Sequence, residues 1–270
     1  MKKLFLFIVL FVAGASSYAQ NREARTVDTF TRLAFRVPGK LYLKQGSPQK
    51  VELEGPADVL KEIETEVSGG KLSIGKESRW MNWNWNDRDK ITAYVTVKDL
   101  ESVSVSGSGD LIGQGKFTTG DMKLNVSGSG SLDIEIVASG NMEADVSGSG
   151  DVMLKGSCNN FDSDVSGSGK VMVSLTIGDL ADFGVSGSGK IQAEGSAKNV
   201  KVRISGSGKV LASNLEADKC EISISGSGDA EVNVKTDLDA HISGSGSVTY
   251  KGNPSHVNSH SAGSGHIRKM

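Results

Sequence analysis

The tetrapeptide Ser106-Gly107-Ser108-Gly109 decides the fold, because it returns at regular intervals through the rest of the chain. Identical copies begin at Ser127, Ser147, Ser166, Ser186, Ser205, Ser225 and Ser243, and a ninth, altered copy begins at Ala262. Successive copies start 18 to 21 residues apart. A fixed period near 20 residues is typical of a solenoid, in which a repeat can bury its apolar side chains only against neighbouring repeats.

Apolar residues flank the motif at odd offsets. Val or Ile stands directly before all eight identical copies, and mostly apolar residues stand three and five positions before the first serine. A second apolar set follows five and, in most copies, seven positions after that serine. Alternation with a period of two places each set on one face of a strand. Each repeat is therefore predicted to hold two strands around a bend.

The two strands recur in the same order in every repeat. If each strand pairs in parallel with the equivalent strand of the next repeat, the backbone hydrogen bonds are made and the apolar residues stay aligned in columns. The sequence therefore predicts an all-β fold, a parallel β-helix of about nine turns. We expect right-handed coiling from the general rule for parallel crossovers.

The segment before the repeats has a different spacing. Short alternating runs are separated by turn residues, which predicts strands joined by turns. Behind Pro56, the residues Val59, Leu60 and Ile63 fall at helical spacing, which predicts one short helix over 57–63. This segment is predicted to be an N-terminal β-rich cap that feeds directly into the first repeat.

The first residues have the pattern of a secretory signal peptide. Lys2 and Lys3 precede an apolar run and then Ser17-Tyr18-Ala19, a small-x-Ala cleavage pattern. The predicted organisation is a signal peptide (1–19), the cap (20–100) and the β-helix (101–270). No later stretch approaches the roughly 20 apolar residues of a spanning helix, so we expect no membrane span after cleavage.

Charge argues against one class of partner. The formal net charge of −2 becomes −4 when the two lysines of the signal peptide are removed. A weakly acidic exported protein does not have the basic surface that nucleic-acid binding requires. The two cysteines, Cys158 and Cys220, lie three repeats apart, too far for a disulfide, and are predicted to be free thiols.

The cap and the repeats together resemble a known family. The stretch from Val37-Pro-Gly-Lys-Leu-Tyr-Leu-Lys-Gln-Gly46 to Leu100-Glu-Ser-Val-Ser-Val-Ser-Gly-Ser-Gly109 is similar to the head GIN domain family of auto-transporter adhesins. The likeness extends over nearly the whole mature chain. It implies an exported β-helical adhesin of a Gram-negative cell envelope, in the periplasm, at the outer-membrane surface or secreted, with no catalytic residues.

Five carboxylates are predicted to gather on the outward face, two and four positions before the motif: Glu143, Asp145, Asp162, Asp164 and Asp182. Carboxylates on neighbouring turns raise one another's pKa values or share a cation such as calcium. A solvated face, a calcium site and a catalytic pair of the kind found in glycosidases all remain open. No other cofactor is expected.

A basic strip is predicted beyond the bend, where Lys170, Lys190 and Lys209 occupy one column on consecutive turns. It could meet phosphates or uronic acids, or simply be solvated. All three tryptophans, Trp80, Trp83 and Trp85, lie close together in the cap. They either pack on the cap or offer flat rings to a sugar or a protein.

The four histidines fall within the last 30 residues. His241 and His260 share a column, as a metal pair or as part of a polar terminal turn that closes the solenoid. Together these features predict a non-catalytic binding module that adheres to a glycan or an envelope protein. The alternatives are an envelope structural protein with a protein partner and a polysaccharide-active enzyme. A homo-oligomer is also open.

Overall fold

The computed structural model describes residues 21–76 and 90–270. Over these ranges the chain forms a parallel β-solenoid of about eight turns with one short helix, which confirms the predicted all-β parallel helix. The predicted signal peptide and the three tryptophans lie outside the described residues. No helix within the described ranges has the length and apolar character of a membrane span.

The N-terminal segment contains seven strands and the helix. They are β1 (Asn21–Arg25), β2 (Arg32–Phe35), β3 (Gly39–Gln45), β4 (Lys50–Gly55), α1 (Ala57–Glu62), β5 (Glu64–Ser68), β6 (Lys71–Gly75) and β7 (Ile91–Val97). The helix begins at the predicted residue and ends one residue before the predicted end. Its buried side chains are Val59 and Leu60, and Arg25 Nη2 donates a 2.7 Å hydrogen bond to the Leu60 carbonyl near the end of the helix.

The repeats form fifteen further strands. They are β8 (Ser102–Gly107), β9 (Gly109–Thr119), β10 (Met122–Gly128), β11 (Ser131–Ala138), β12 (Asn141–Gly148), β13 (Asp151–Cys158), β14 (Asn160–Gly167), β15 (Lys170–Ile177), β16 (Leu180–Gly187), β17 (Lys190–Gly206), β18 (Lys209–Gly226), β19 (Asp229–Gly244), β20 (Ser247–Lys251), β21 (His256–Gly263) and β22 (His266–Lys269). The long strands β17 to β19 each continue from one side of the solenoid to the next.

The strands form two parallel stacks that meet at the motif. The leading stack contains the strand segments that run into the motif, namely β8, β10, β12, β14, β16, the second halves of β17 to β19, and β21. The trailing stack contains the segments that leave it, namely β9, β11, β13, β15, the first halves of β17 to β19, β20 and β22. Each strand therefore pairs with the equivalent strand of the neighbouring repeat, as the apolar columns of the sequence predict.

The N-terminal strands extend both stacks, but out of chain order. In the leading stack β2 lies between β6 and β8, and in the trailing stack β3 lies between β7 and β9, all in parallel. Antiparallel strands then close this end: β5 pairs with β6, β4 with β7, and β1 with β4. The segment is thus joined to the solenoid by continuous backbone pairing.

The first glycine of the motif makes the bend. All nine of these glycines have positive φ, from +82° at Gly107 to +131° at Gly244, a backbone conformation that side-chain-bearing residues rarely adopt. The bend loses no hydrogen bonds, because each turn bonds the one before it. For example, the Ser149 N–H donates to the Gly128 carbonyl at 2.8 Å.

The second glycine serves packing instead. Its φ is not positive, and a Cβ on it would strike the Val or Ile that precedes the motif one turn earlier. At Gly150 such a Cβ would come within 2.5 Å of Val126 Cγ1 and 2.6 Å of the Gly130 carbonyl oxygen. This contact explains why a β-branched residue before the motif and a glycine at its end occur together.

The inward columns predicted on both sides of the motif are buried. Ser163 is the one polar member, and its hydroxyl donates a 2.8 Å hydrogen bond to the Ala144 carbonyl. The trailing strands continue beyond the two columns that the sequence indicated and bury further residues, including Phe117, Ile136 and Leu175. The core therefore contains more residues per repeat than the two predicted strands would bury.

The ends and the thiols agree with the sequence. Cys158 and Cys220 are both free and buried. Every residue of β21 is exposed, Val257 included, and Ser259 and Ser261 stand in register with the buried Ala240 and Ile242 of the turn before.

Candidate functional site

The five predicted carboxylates lie together on the outward face of the leading stack. Glu143, Asp162 and Asp182 stand in register in the column four positions before the motif. Asp145 and Asp164 stand in the column two positions before it. Oxygen atoms of Asp145, Asp162 and Asp164 lie within 4.8 Å of one another.

Cations flank this cluster at both ends, which the sequence analysis missed. Lys123 forms an ion pair with Glu143, and its Nζ lies 3.8 Å from Asp145 Oδ2. At the other end Arg203 Nη1 lies 2.8 Å from Asp182 Oδ1 and donates a 2.9 Å hydrogen bond to Oδ2. Lys123 and Arg203 occupy the same two columns on the flanking turns, so aligning all copies for charge would have found them.

The surroundings of these carboxylates shift the pKa values of neighbours in opposite directions. Burial, followed by the hydrogen bond and charge of Glu143, raises the pKa of Asp145 to about 6. The hydrogen bond from Lys123 lowers the pKa of Glu143. Burial and then the charges of Asp164 and Asp182 raise the pKa of Asp162. The centre of the cluster is therefore short of positive charge, while its ends are neutralised.

Calcium is chemically compatible with this centre, since it accepts six to eight oxygen ligands. The three central carboxylates offer at most six oxygens, all on side chains at the surface. Calcium binding by Asp145, Asp162 and Asp164 stays a prediction.

Two grooves follow the corner where the chain enters the leading strands. The first has a volume of about 570 Å³ and is lined by Glu101, Thr119, Asp121, Lys123 and Glu143, among others. The second has a volume of about 540 Å³. Its polar lining includes Asn199, Lys201, Lys219, Glu221, Asp237 and Asn258. Glu143 of the acidic cluster also lines the first groove. None of the five carboxylates lines the second groove, whose walls also include the apolar residues Leu180, Val200 and Leu238.

Side-chain ladders order this corner. Asn160 Nδ2 donates a 2.9 Å hydrogen bond to Asn141 Oδ1. The side-chain Oδ1 of Asn160 accepts a 3.2 Å hydrogen bond from the backbone N–H of Leu180. In the second groove Lys219 Nζ lies 3.4 Å from Asp237 Oδ2. Amides on two adjacent turns and one ion pair thus lie along this corner, an arrangement that can meet the repeated polar groups of an extended ligand.

The lysine strip lies on the trailing stack, away from the acidic cluster. Lys170, Lys190 and Lys209 stand in register on consecutive turns. The strip is partly compensated, because Lys209 Nζ lies 2.8 Å from Asp229 Oδ2 and Asp151 precedes Lys170 in the same column.

The histidines belong to the polar terminal turn. His241 and His260 pair in register with ring centroids 6.1 Å apart. His241 Nδ1 lies 3.0 Å from Asp239 Oδ1, and His256 Nδ1 lies 3.2 Å from Asp237 Oδ1.

The tryptophans are not among the described residues, but the described part of the cap carries an aromatic pair that sequence reasoning missed. Tyr42 and Tyr94 stack on the outward face with ring centroids 5.6 Å apart. The Arg22 guanidinium lies 4.1 Å from the centroid of the Tyr94 ring.

Comparison with solved structures identifies the same fold in several bacterial proteins. The chain is similar to a putative adhesin from Parabacteroides merdae, with 21% identity, TM-score 0.69, and coverage of 93% of this chain and 96% of that one. It is also similar to a putative lipid binding protein from Parabacteroides distasonis, with 24% identity, TM-score 0.66, and coverage of 93% and 96%. A putative adhesin from the same species has 19% identity, TM-score 0.66, and coverage of 93% and 97%. At these identities the likeness is one of fold.

A comparison with curated proteins finds no match. The family model described as "Putative auto-transporter adhesin, head GIN domain" matches residues 29–181 and 178–254, which together contain most of the solenoid and its N-terminal strands. The chain therefore belongs to the head GIN domain family of putative auto-transporter adhesins.

Proposed function

We propose that the protein is an exported, non-catalytic adhesion module that binds an extended glycan along the corner of the leading stack. The family's description is that of an adhesin, which supports an adhesin-like, non-enzymatic role at the cell surface or envelope. The single observation that carries the choice of a glycan is the pair of grooves on one corner, both of which have amide and charged side chains in their lining.

The polar side chains of the corner suit a polar polymer, and apolar residues such as Leu180 and Leu238 form part of the second groove. The grooves present amide, hydroxyl and paired charged groups, which suit the many hydroxyl groups of a sugar chain. Because the solenoid repeats about every 4.8 Å, equivalent groups recur along the axis at a spacing comparable to that of sugar units in a chain. Repeated weak contacts on a rigid scaffold then add up to useful avidity.

The test is a glycan array probed with the mature protein, followed by titration of the strongest glycan. We expect the combined change Lys201→Ala, Lys219→Ala and Asn258→Ala to weaken that binding by at least about tenfold, since each lost hydrogen bond to a charged or polar group contributes roughly 1 kcal/mol. The matched control is Lys61→Ala with Lys71→Ala, two exposed side chains of the N-terminal segment. A blank array, together with recovery of an envelope protein in pull-downs, would instead favour an envelope structural role.

A second arm tests the lysine strip. The triple change Lys170→Ala, Lys190→Ala and Lys209→Ala is expected to weaken binding to acidic glycans selectively if the strip contacts them. Unchanged binding would remove the strip from the adhesive surface.

One observation favours the alternative of a polysaccharide-active enzyme. Asp145, with a pKa raised to about 6, stands beside Glu143, whose pKa is lowered, and such a divergence is how glycosidases separate acid from base. The discriminating measurement is release of reducing ends from the bound glycan. Turnover that Asp145→Asn abolishes would establish the enzyme, and binding without turnover would establish the adhesin.

A further inference from the structure

An apolar stripe runs along the outward face of the trailing stack. It occupies the column two positions after that of the lysine strip, on eight consecutive turns of the solenoid. In order along the axis, its members and the two polar interruptions are Tyr94, Tyr42, Ile112, Asp133, Met153, Met172, Gln192 and Leu211. We call the six apolar and aromatic members the apolar stripe.

This stripe is accessible to a partner. Met153 is 38% exposed, and Ile112, Met172 and Leu211 are half-buried. A groove of about 210 Å³ passes between Met153, Met172 and Gln192 at its centre. Met153 and Met172 are neighbours on adjacent turns, and an exposed apolar patch of this kind marks an interaction site.

The adjacent column changes sign halfway along the axis. On its six central turns Asp110, Ser131 and Asp151 are followed by Lys170, Lys190 and Lys209, and the column continues with Lys40 on the turn before Asp110 and Asp229 on the turn after Lys209. Within the ranges 21–76 and 90–270, Asp151, Lys170 and Lys190 form no ion pair. When this column is reversed end to end, Asp stands opposite Lys at each charged position from Lys40 to Asp229 except Lys190, which stands opposite Ser131, and this is a self-complementary pattern.

We propose that a second copy of this chain covers the face as an antiparallel homodimer. The two-fold axis would run parallel to the strands and pass between β13 and β15. This operation keeps each column opposite itself and reverses the direction of the solenoid, as an isologous interface requires. The proposal goes beyond the adhesive function and does not depend on it, since the grooves lie on the leading stack and stay open.

The register of this dimer follows from counting turns outward from the axis. Lys170 faces Asp151 of the second copy, and Lys209 faces Asp110. In the apolar column Met153 faces Met172. Leu211 likewise faces Ile112. Each charged pair therefore borders an apolar contact, and every contact occurs twice.

The size of the face suits a stable interface. Seven-residue strand segments at about 3.3 Å per residue and eight turns at about 4.8 Å give a face of about 23 by 38 Å. Its area of about 900 Å² per copy matches that of a standard protein–protein interface, about 800 Å² per partner.

The next column carries one unfavourable pair. Glu135 would face Glu194 of the second copy. Lys116 Nζ lies 3.3 Å from Glu135 Oε1 and neutralises part of its charge. The proposal therefore makes an unusual prediction, namely that Glu194→Lys tightens the dimer.

The first experiment measures the mass of the mature protein against concentration by analytical ultracentrifugation. We expect a dimer that Met153→Lys with Met172→Lys dissociates at least a hundredfold more readily. The matched control is Asn125→Lys with Ser223→Lys on the leading stack, which should dimerise as the unmodified chain does. Thermal melts establish that each variant is folded. The proposal would be overturned if the protein were a monomer at all concentrations, or if the dissociation constant of the dimer were the same with and without Met153→Lys and Met172→Lys.

Charge reversal tests the electrostatic part. Asp151→Lys and Lys170→Asp should each weaken the dimer at least tenfold, and their combination should recover most of the loss. Additive losses in the double variant would contradict the pairing.

A cross-linking experiment tests the register. A short bismaleimide should join a chain carrying Ile112→Cys to a chain carrying Leu211→Cys when the two are mixed. Neither variant alone should cross-link, because the antiparallel register separates like positions by about 24 Å, five strand spacings. Native Cys158 and Cys220 are buried and do not interfere. Cross-linking of each variant alone would indicate a different interface.

Discussion

The carboxylate of Asp164 occupies the space above Gly184 on the next turn. A Cβ built on Gly184 would come within 1.9 Å of Asp164 Oδ1. Gly184 therefore leaves a gap in the outward column that the acidic cluster fills, and the side chain that would have to move is a flexible one.

We expect Gly184→Ala to change the free energy of unfolding by no more than about 1 kcal/mol. The φ of Gly184 is not in the left-handed region, and a residue with a Cβ gains about 0.5–1 kcal/mol over glycine in a strand, which offsets the displacement of Asp164. Urea unfolding measures the change. A loss beyond about 3 kcal/mol would show that Asp164 is rigidly held there.

The motif glycines should respond very differently. At Gly148, φ is +114° and a Cβ would lie 2.7 Å from the Gly128 carbonyl oxygen. We expect Gly148→Ala to cost about 2–4 kcal/mol in the free energy of unfolding, from backbone strain and from the collision with backbone. Gly148→Val should prevent folding. The measurement is urea unfolding, with Gly184→Ala as the matched glycine control, and full stability would contradict the assigned role.

The second glycine can be probed by a compensating change. Gly150→Ala should cost about 1–3 kcal/mol, because the added methyl group overpacks against Val126. In a Val126→Ala background part of that cost should disappear, because the nearest contact has been removed. A double-mutant cycle in urea measures this coupling. The same background should give Gly148→Ala no relief, since its obstacle is backbone.

The pH dependence of stability should reveal Asp145. Its pKa is raised to about 6 in the folded protein, so the folded state binds a proton more tightly than the unfolded chain does. The contribution to stability is present at low pH and is lost as pH rises through about 6. Asp145→Asn should therefore raise the free energy of unfolding at pH 8 by about 1–2 kcal/mol and flatten the profile between about pH 4, near the pKa of the unfolded aspartate, and about pH 6. Thermal melts across this range measure it, and an unchanged profile would count against the raised pKa.

Burial raises the pKa of both thiols, Cys158 and Cys220, to about 12. A thiol reacts as its thiolate, so neither should react with Ellman's reagent in the folded protein at pH 8. Two thiols per chain should appear after unfolding without a reductant. Fewer than two would indicate a disulfide that the separation of the two turns argues against.

Particular residues show which parts of the fold can be predicted from the sequence. The inward columns were predictable because one register recurs nine times, and each recurrence averages out local exceptions such as Ser163. Offset alone cannot distinguish a glycine that supplies positive φ, as Gly148 does, from one that allows close packing, as Gly150 does. Both roles turn out to be present, one at each glycine.

The surface was harder to predict. Asp145, Asp162 and Asp164 were found because like charges recur in two neighbouring columns. Lys123 and Arg203 were missed because they stand at the ends of those columns, on the flanking turns. The apolar stripe was missed for a physical reason: an outward methionine such as Met153 looks like a core residue until the register fixes which way it points. The order of the N-terminal strands could not be read at all, because β2 pairs with neighbours that lie about 40 and 70 residues later in the chain.

That displaced strand order also governs how the protein can assemble. Because β2 and β3 lie between partners made later, residues 32–45 have no complete neighbours until the chain has been synthesised to about residue 113. From there each new repeat docks on a finished one, so growth proceeds towards the C-terminus with contacts only to the preceding turn. Loss of the final turns should therefore shorten the solenoid, whereas loss of residues 32–45 would remove the template on which every later turn is laid.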